Sequence, residues 1–187
     1  MKNIIAIMLI TASLTAFAQR NKYAATYACE DGRVHFFAST PLEDISPVSN
    51  IAFCVLNTQT KKVVAKVRMN SFVFVKSLMQ EHFNENFIES EKYPYATLEA
   101  VITENIDYSK DGVYNVTLKG TLEVHGVKKE YAIKGRLTVK NGEPVAATAD
   151  FEVKLVDHNI KIPTVVITKI AEVVKVDVGF NFKKYNK

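Results

Sequence analysis

The chain has 187 residues, of which 48% are hydrophobic, and its formal net charge is +4. This length and composition indicate one globular domain and exclude a disordered or low-complexity protein. The small excess of lysine and arginine forms no dense basic cluster, so nucleic-acid binding is not expected.

The N-terminus has the three-part pattern of a secretory signal peptide. In residues 1–18, Lys2 is the sole charge, an apolar run covers residues 4–14, and Ala16-Phe17-Ala18 resembles a cleavage site. The run is shorter than the ~20 residues of a membrane span, and no later segment approaches that length without charges, so the mature chain should carry no transmembrane segment. We expect export to the periplasm or beyond, and a mature domain over residues 19–187 with a net charge of +3 once Lys2 is lost. The alternative is a buried N-terminal helix.

After the leader, short apolar or alternating runs separated by turn signals predict an all-β protein. Asp31-Gly32 predicts a tight turn between two strands. A loop follows at residues 41–47, with a proline at each end. The strands predicted in this half span residues 22–29, 33–39, 49–57 and 62–75.

The segment from Ser71 to Pro94 interrupts this strand pattern. Residues 71–75 still resemble a strand, but from Leu78 the apolar side chains recur every three or four residues, which predicts a short helix over 78–89. Ser77 is a candidate N-cap with Gln80 as its partner, and Pro94 should end the segment. The stripe predicted to face the sheet consists of Leu78, Met79, His82, Phe83, Asn86 and Phe87.

Strict alternation then returns and predicts further strands, with turns at residues 110–112, at Gly126 and at Asn141-Gly142. Each strand is polar on one face alone. In total, seven to nine antiparallel strands with short turns favour a closed up-and-down β-barrel, because closure leaves no exposed edge. A β-sandwich is the alternative.

No motif indicates catalysis or metal binding. The 4 histidines are far apart in sequence and lack metal-ligand spacing, and no nucleophile elbow, zincin motif, P-loop or dinucleotide fingerprint occurs. Glu81, Glu85 and Glu89 step along one side of the predicted helix, which indicates a solvated face. We therefore expect no catalytic residue, metal or cofactor. His82 is expected to point at the mouth of the barrel.

The interior of an eight-stranded barrel is either filled by its own side chains or holds one small ligand. Small inward residues favour a cavity here; they are Ala65, Ala100, Gly135, Ala147 and Ala149. The aromatic side chains instead gather at the helix and the strand ends. Two alternatives to a ligand carrier remain open. One is a solid barrel that acts as an interaction or stress-response module, and the other is a hydrolase, which would need a convergent polar cluster at the mouth.

Cys29 and Cys54 are the 2 cysteines of the chain. In an oxidising compartment two thiols in neighbouring strands could pair as a disulfide. They could equally stay free as buried, small hydrophobic groups.

Two central motifs resemble those of YceI-like proteins. The first combines Ser71-Phe72, residues 78–83 (LMQEHF) and residues 89–94 (ESEKYP), and the second is residues 120–129 (GTLEVHGVKK). Residues 31–36 and 157–163 resemble the weaker ends of the family pattern. The resemblance implies an exported, lipocalin-like antiparallel barrel without catalytic residues. Its lumen would take a long amphiphilic isoprenoid, such as a polyprenyl quinone or polyprenyl phosphate. The cysteine pair and the acidic loop 42–44 depart from the usual pattern.

Together these observations predict a non-enzymatic carrier of a lipid, in which the helix at 78–89 gates the mouth of the barrel. The predicted ligand-binding residues of the lumen and mouth are Val67, Met69, Phe72, Phe74, Leu78, Met79, His82, Phe83, Phe87, Leu98, Ile102, Leu118, Ile133, Ala149, Phe151, Val176 and Val178. The head group of the ligand and the oligomeric state, a dimer included, are left open by the sequence.

Overall fold

A computed structural model describes residues 25–39, 44–161 and 172–185. The predicted signal peptide, residues 41–43 of the predicted loop 41–47 and the end of the 157–163 segment lie outside these residues.

The described chain forms a closed antiparallel barrel. The strands are β1 (Thr26–Phe37), β2 (Val48–Asn57), β3 (Lys62–Arg68), β4 (Tyr95–Ile102), β5 (Gly112–Val124), β6 (Val127–Lys140), β7 (Glu143–Lys154), β8 (Val173–Asn181) and the short β9 (Lys183–Lys184). Each strand from β2 to β8 pairs with the next, and β1 pairs with both β2 and β8, which closes the barrel. The short β9 pairs with the start of β1. The predicted barrel is confirmed, and the sandwich is not observed.

Strand β1 runs straight through Asp31-Gly32, so the predicted tight turn is wrong. The pairing of β1 with β2 shifts register on both sides of Gly32, which marks a bulge. A Cβ at Gly32 would lie 2.8 Å from the Ala52 carbonyl oxygen and would overlap the Phe180 ring. Glycine is needed there because the backbone of β2 and an aromatic ring both approach closely.

Strand β3 ends at Arg68, not at Val75 as predicted. A 3-10 turn covers Met69–Ser71, and the Ser71 hydroxyl closes it by donating to the Arg68 carbonyl at 2.6 Å. Met69 and Phe72 are both buried, a spacing of three that suits a turn and not a strand. Beyond it, Val73 forms an isolated bridge with Val48.

The predicted helix is present, but its α-helical part is shorter than expected and a π-helical turn follows it. The α-helix α1 covers Ser77–His82, and a π-helical turn continues it over Phe83–Phe87. The N-cap is Lys76 without a side-chain cap bond, so the predicted Ser77 cap is wrong. Gln80 instead accepts a hydrogen bond from the Phe74 amide at 3.3 Å. The extra residue of a π-turn rotates the later side chains relative to α1, so one stripe cannot extend across both.

The two ends of the barrel differ. The helical end carries α1, the β5–β6 turn and a 3-10 turn at Leu155–His158. At the closed end, large buried side chains fill the barrel: Tyr27, Leu56, Tyr108 and Val139. Within the described residues no helix combines the length and apolar character that crossing a membrane requires.

Candidate binding cavity

The barrel encloses an apolar cavity of about 210 Å³. Residues from all of the strands β1 to β8 line it. One water molecule needs about 10–15 Å³ by the same measure, so the volume greatly exceeds a packing defect. The barrel is therefore hollow and not filled by its own side chains.

Most of the predicted ligand-binding residues line this cavity. They are Val67, Met69, Phe72, Phe83, Leu98, Ile102, Leu118, Ile133, Ala149, Phe151, Val176 and Val178. Alternation placed the nine strand residues among them on the inner face, because each strand has one face inside the barrel, whereas Met69, Phe72 and Phe83 lie outside the strands. That these residues bind a ligand stays a prediction.

The remaining predicted residues lie outside the lining. We call residues 71–94 the helical segment. Phe74 and Phe87 pack against the core from this segment, and Met79 is half-buried. Leu78 is 58% exposed and His82 is exposed, so His82 does not point into the barrel. The stripe prediction failed at these two positions, and at the exposed Asn86, because no residue of the six-residue helix α1 is buried and only Met79 and Gln80 are partly covered.

Lining residues of β1 and β2 were not predicted. Val34 and Phe36 of β1 and Ala52 and Leu56 of β2 face the cavity. Their alternation in the sequence carries the signal. In β1 it was obscured, because the expected turn at Asp31-Gly32 separated the strand into two short ones.

Small residues at mid-height create the space. Ala65, Gly135, Ala147 and Ala149 line the cavity, and Ala149 lies directly between Gly135 on β6 and Val178 on β8. Ala100, also predicted to be inward, is buried but is not part of the lining. Larger side chains at these paired positions would fill the space inside the barrel.

The lining offers almost no polar chemistry. Lys66, Arg136 and Thr148 border the cavity, but these residues are exposed on the outer face, and the Lys66 ammonium lies over the Tyr95 ring at 3.8 Å. The Cys54 thiol also borders it, and burial raises its pKa to about 12. Such a cavity suits hydrocarbon, because a buried head group would find no partner inside.

An aromatic cluster covers the cavity at the helical end. The ring of Phe36 on β1 lies 5.2 Å from that of Phe72 and 5.5 Å from that of Phe83, which follows α1. The Phe74 and Phe83 rings lie 5.0 Å apart. Since Phe36, Phe72 and Phe83 also line the cavity, the helical segment covers it through ring contacts.

A polar network holds the far end of this segment. His125 Nε2 lies 2.8 Å from Glu89 Oε2, and His125 Nδ1 lies 3.1 Å from the His158 carbonyl oxygen. Both partners are acceptors, so each of these bonds is donated by a ring N–H of His125. The next residue, Gly126, has φ +71, and a Cβ there would lie 2.6 Å from the Tyr93 ring. The motif around His125 thus fixes the return of the helical segment to β4.

His158 is fully buried and joins the 3-10 turn after β7 to β6. Its Nδ1 donates to the Val127 carbonyl at 3.0 Å, so its Nε2 accepts from the Tyr131 hydroxyl at 3.2 Å. Burial raises the pKa of Tyr131. Across the described ranges, no cluster of histidine, cysteine and acidic side chains could hold a metal ion. These contacts make His125 and His158 structural residues.

A third polar cluster lies on the outer face of β1 and β8. His35 Nε2 lies 2.6 Å from the Ser46 hydroxyl, and His35 Nδ1 bonds Asp177. Arg33 binds the other oxygen of Asp177 at 2.5 Å. Burial alone would raise the pKa of Asp177, but the hydrogen bonds from His35 and Arg33 hold it below its usual value.

This cluster has the connectivity of a serine–histidine–aspartate triad but not its setting. Residues 34 and 36 face the cavity, so His35 faces away from it. Pro47 follows Ser46 and has no amide hydrogen to stabilise an oxyanion. Arg33 pairs with the second oxygen of Asp177, so the carboxylate is shared between His35 and an ion pair. We interpret the cluster as an anchor of the segment before β2 to the barrel wall.

Cys29 and Cys54 are directly opposite each other on β1 and β2. Both are buried and free, and the Cys29 thiol donates to Asp31 Oδ1 at 3.4 Å. The prediction that they lie on neighbouring strands is met. Whether they pair in an oxidising compartment stays a prediction.

Comparisons with known proteins agree on the fold. The model of the YceI-like domain matches residues 35–182. No protein with curated annotation matches the sequence. A polyisoprenoid-binding domain from Saccharophagus degradans, implicated in plant cell wall breakdown, is similar in structure. It has 13% identity and a TM-score of 0.71, and the alignment covers 87% of this chain and 99% of that one.

Two further solved structures are similar. BcnA of Burkholderia cenocepacia has 13% identity and a TM-score of 0.62, with 81% of this chain and 96% of that chain covered. The YceI protein of Campylobacter jejuni has 14% identity and a TM-score of 0.51, with 73% and 81% covered. At these identities the similarity establishes the architecture of the barrel.

Proposed function

Because the chain belongs to the YceI-like family, we propose that it is a non-enzymatic binding protein that carries or sequesters a long isoprenoid or a similar amphiphilic lipid in its barrel. The observation that carries this proposal is the apolar cavity of about 210 Å³. The solid-barrel alternative requires that space to be filled. The structural similarity to a domain described as polyisoprenoid-binding supports the choice of ligand.

The chemistry of the cavity fits the hydrocarbon part of such a ligand. Burial of roughly 500 Å² of isoprenoid surface at about 25 cal/mol per Å² gives a gross gain of about 12 kcal/mol. Association costs of about 4–15 kcal/mol reduce this gain, and a chain held by contacts along its whole length offsets them best. The polar head group would lie at the helical end, since the closed end is filled by Tyr27, Leu56 and Val139.

Phe83 is the residue through which the helical segment would gate the cavity. It lines the cavity and contacts the rings of Phe36, Phe72 and Phe74. We expect Phe83→Ala to release a bound ligand faster than the wild type, because the cover loses its central ring. A release rate equal to that of the wild type would contradict the gating role.

The ligand is identified by extraction of the protein purified from its native host. Organic solvent should release a lipid that mass spectrometry resolves as repeating five-carbon units. Direct binding is then measured with geranylgeraniol and, as a matched control, the straight-chain alcohol with the same number of carbons. Tighter binding of geranylgeraniol supports an isoprenoid, and equal binding indicates a general lipid site. An empty extract together with no binding of either alcohol would refute the proposal.

Export is part of the proposal and has its own measurement. Intact-mass analysis of the mature protein should give a chain that begins at Gln19. A retained N-terminal leader would show that the signal-peptide interpretation is wrong.

A further inference from the structure

Four large aliphatic side chains project into solvent at the helical end of the barrel. Val73 is 68% exposed, Val75 99%, Leu78 58% and Val156 72%. We call these residues the apolar rim. Val73, Val75 and Leu78 belong to the helical segment, and Val156 to the 3-10 turn after β7, so the rim comes from two parts of the chain.

Val73, Val75 and Val156 are each next in the chain to a side chain that packs towards the barrel. Val73 lies between Phe72, which lines the cavity, and Phe74, which packs in the aromatic cluster. Val156 follows Leu155, which also lines the cavity. The segments that cover the cavity therefore have an apolar inner face and an apolar outer face. Single exposed aliphatic residues are ordinary, but a group around the end of a cavity marks an interaction site.

The area of the rim indicates the kind of partner. An exposed valine or leucine offers about 60–120 Å² of apolar surface, so the rim offers roughly 250–500 Å². A stable protein interface buries about 800 Å² on each partner and needs a shape that matches. A second copy of the chain is therefore a poor fit. Separate projecting side chains suit a lipid bilayer, because fluid acyl chains adapt to any shape.

We propose that the apolar rim inserts into the surface of a lipid bilayer and brings the helical end of the barrel against the membrane. This inference rests in part on the proposed function, since a bilayer is where a lipid ligand would be collected or delivered. It adds the surface that makes contact. A ligand could then move between the bilayer and the cavity without crossing water.

Apolar insertion and not charge drives this contact. Lys76, between Val75 and Leu78 in the chain, and Lys154, two residues before Val156, are exposed, and so are Glu81 and Asp157. Their charges oppose each other, so anionic lipids should add little. Binding should be weak and reversible, comparable to the association constant of about 10⁴ M⁻¹ that a single myristoyl chain provides.

The test is flotation of the lipid-free protein with phosphatidylcholine vesicles. The double variant Val75→Asn with Val156→Asn removes one rim side chain from each segment without a change of charge. The matched control is Val113→Asn, because Val113 is 63% exposed but lies at the start of β5, at the closed end. Melting curves confirm that all three proteins are folded.

We expect the double variant to lose about tenfold or more of the vesicle partition constant, since each inserted side chain contributes to transfer from water. The control should bind like the wild type. Wild-type protein that does not float, or a double variant that floats like the wild type, would overturn the inference. Loss of self-association in place of vesicle binding would assign the rim to a second copy and overturn it too.

A vesicle-free measurement separates this inference from the proposed function. Neither Val75 nor Val156 lines the cavity, so the double variant should bind geranylgeraniol in solution as the wild type does. If geranylgeraniol binding fails in every protein while rim-dependent flotation holds, the lumen ligand is wrong and the membrane surface stands. If geranylgeraniol binds but flotation does not depend on the rim, the membrane surface is wrong and the lumen ligand stands.

Discussion

Ala149→Phe tests whether the cavity binds the ligand. Ala149 is 6% exposed and faces the cavity from the middle of β7. Its partners across the sheet are Gly135 and Val178. A phenyl ring at this position can extend only into the cavity, because the backbone of β6 and the side chain on β8 block it sideways.

The size of the effect follows from the surface that the ring displaces. A buried phenylalanine covers about 150–250 Å². A ligand that loses roughly 150 Å² of apolar contact loses about 4 kcal/mol at 25 cal/mol per Å². This corresponds to an affinity that is about 100- to 1,000-fold lower. The melting temperature of the lipid-free protein should stay nearly unchanged, because the ring fills existing space.

The assay is titration with geranylgeraniol, paired with a thermal melt of the lipid-free protein. Thr148→Phe is the matched control, since it adds a ring on the outer face of the same strand, where Thr148 is exposed. In a filled barrel Ala149→Phe would overpack the core and cost about 1–3 kcal/mol, a melting temperature lower by about 2–12 °C. Such destabilisation, or affinity equal to that of the control, would refute the reasoning.

The remaining predictions concern buried and hydrogen-bonded groups. In the folded protein Cys54 should resist thiol reagents at pH 8, since a pKa of about 12 leaves about one thiolate in ten thousand. After unfolding without reductant, Cys29 and Cys54 should both take up label, whereas no uptake would show a disulfide. Tyr108→Phe should stabilise the protein by about 1 kcal/mol in urea unfolding, because the Tyr108 hydroxyl is buried without a partner among the described residues; a loss of stability would reveal a partner. Glu104 accepts a bond from the Thr117 amide at 2.7 Å, which lowers the pKa of Glu104 from 4.5 to about 2. That stabilisation is complete above pH 4.5 and is lost as pH falls to about 2. Glu104→Gln should therefore flatten this part of the pH–stability curve, and an unchanged curve would contradict the assignment.

Alternation of apolar and polar residues predicted the strands well wherever one face of the strand lies inside the barrel along its whole length. The inward residues of β8, from Val174 to Phe180, all line the cavity as expected. The Asn141-Gly142 turn is also correct, with positive φ at both residues. The turn at Asp31-Gly32 failed because the same residue pair suits a bulge, and only the Phe180 ring and the β2 backbone decide between them.

The sequence predicted which residues face the interior of the barrel, but it could not show that the interior is hollow. A filled barrel and a hollow one need the same inward pattern, and the space depends on how Gly135 and Ala149 meet across two strands. The helical segment was less predictable. In a six-residue α-helix followed by a π-turn, a stripe predicted from ordinary helical spacing placed Leu78 and His82 on the wrong side. The His125 and His158 contacts join segments that are 33 residues apart, and nothing local in the sequence indicates them.

Closure of the barrel by β1 and β8 sets the order in which the chain can fold. The Arg33–Asp177 pair joins residues 144 positions apart in sequence. Contacts of such long range require the entropy of a large loop to be lost first, so they form late and slowly. Until β8 arrives, β1 has one unpaired edge that can join another chain. A chain emerging from synthesis must therefore include β8 before it is protected, and a truncation within β8 should lead to aggregation and not to a smaller folded barrel.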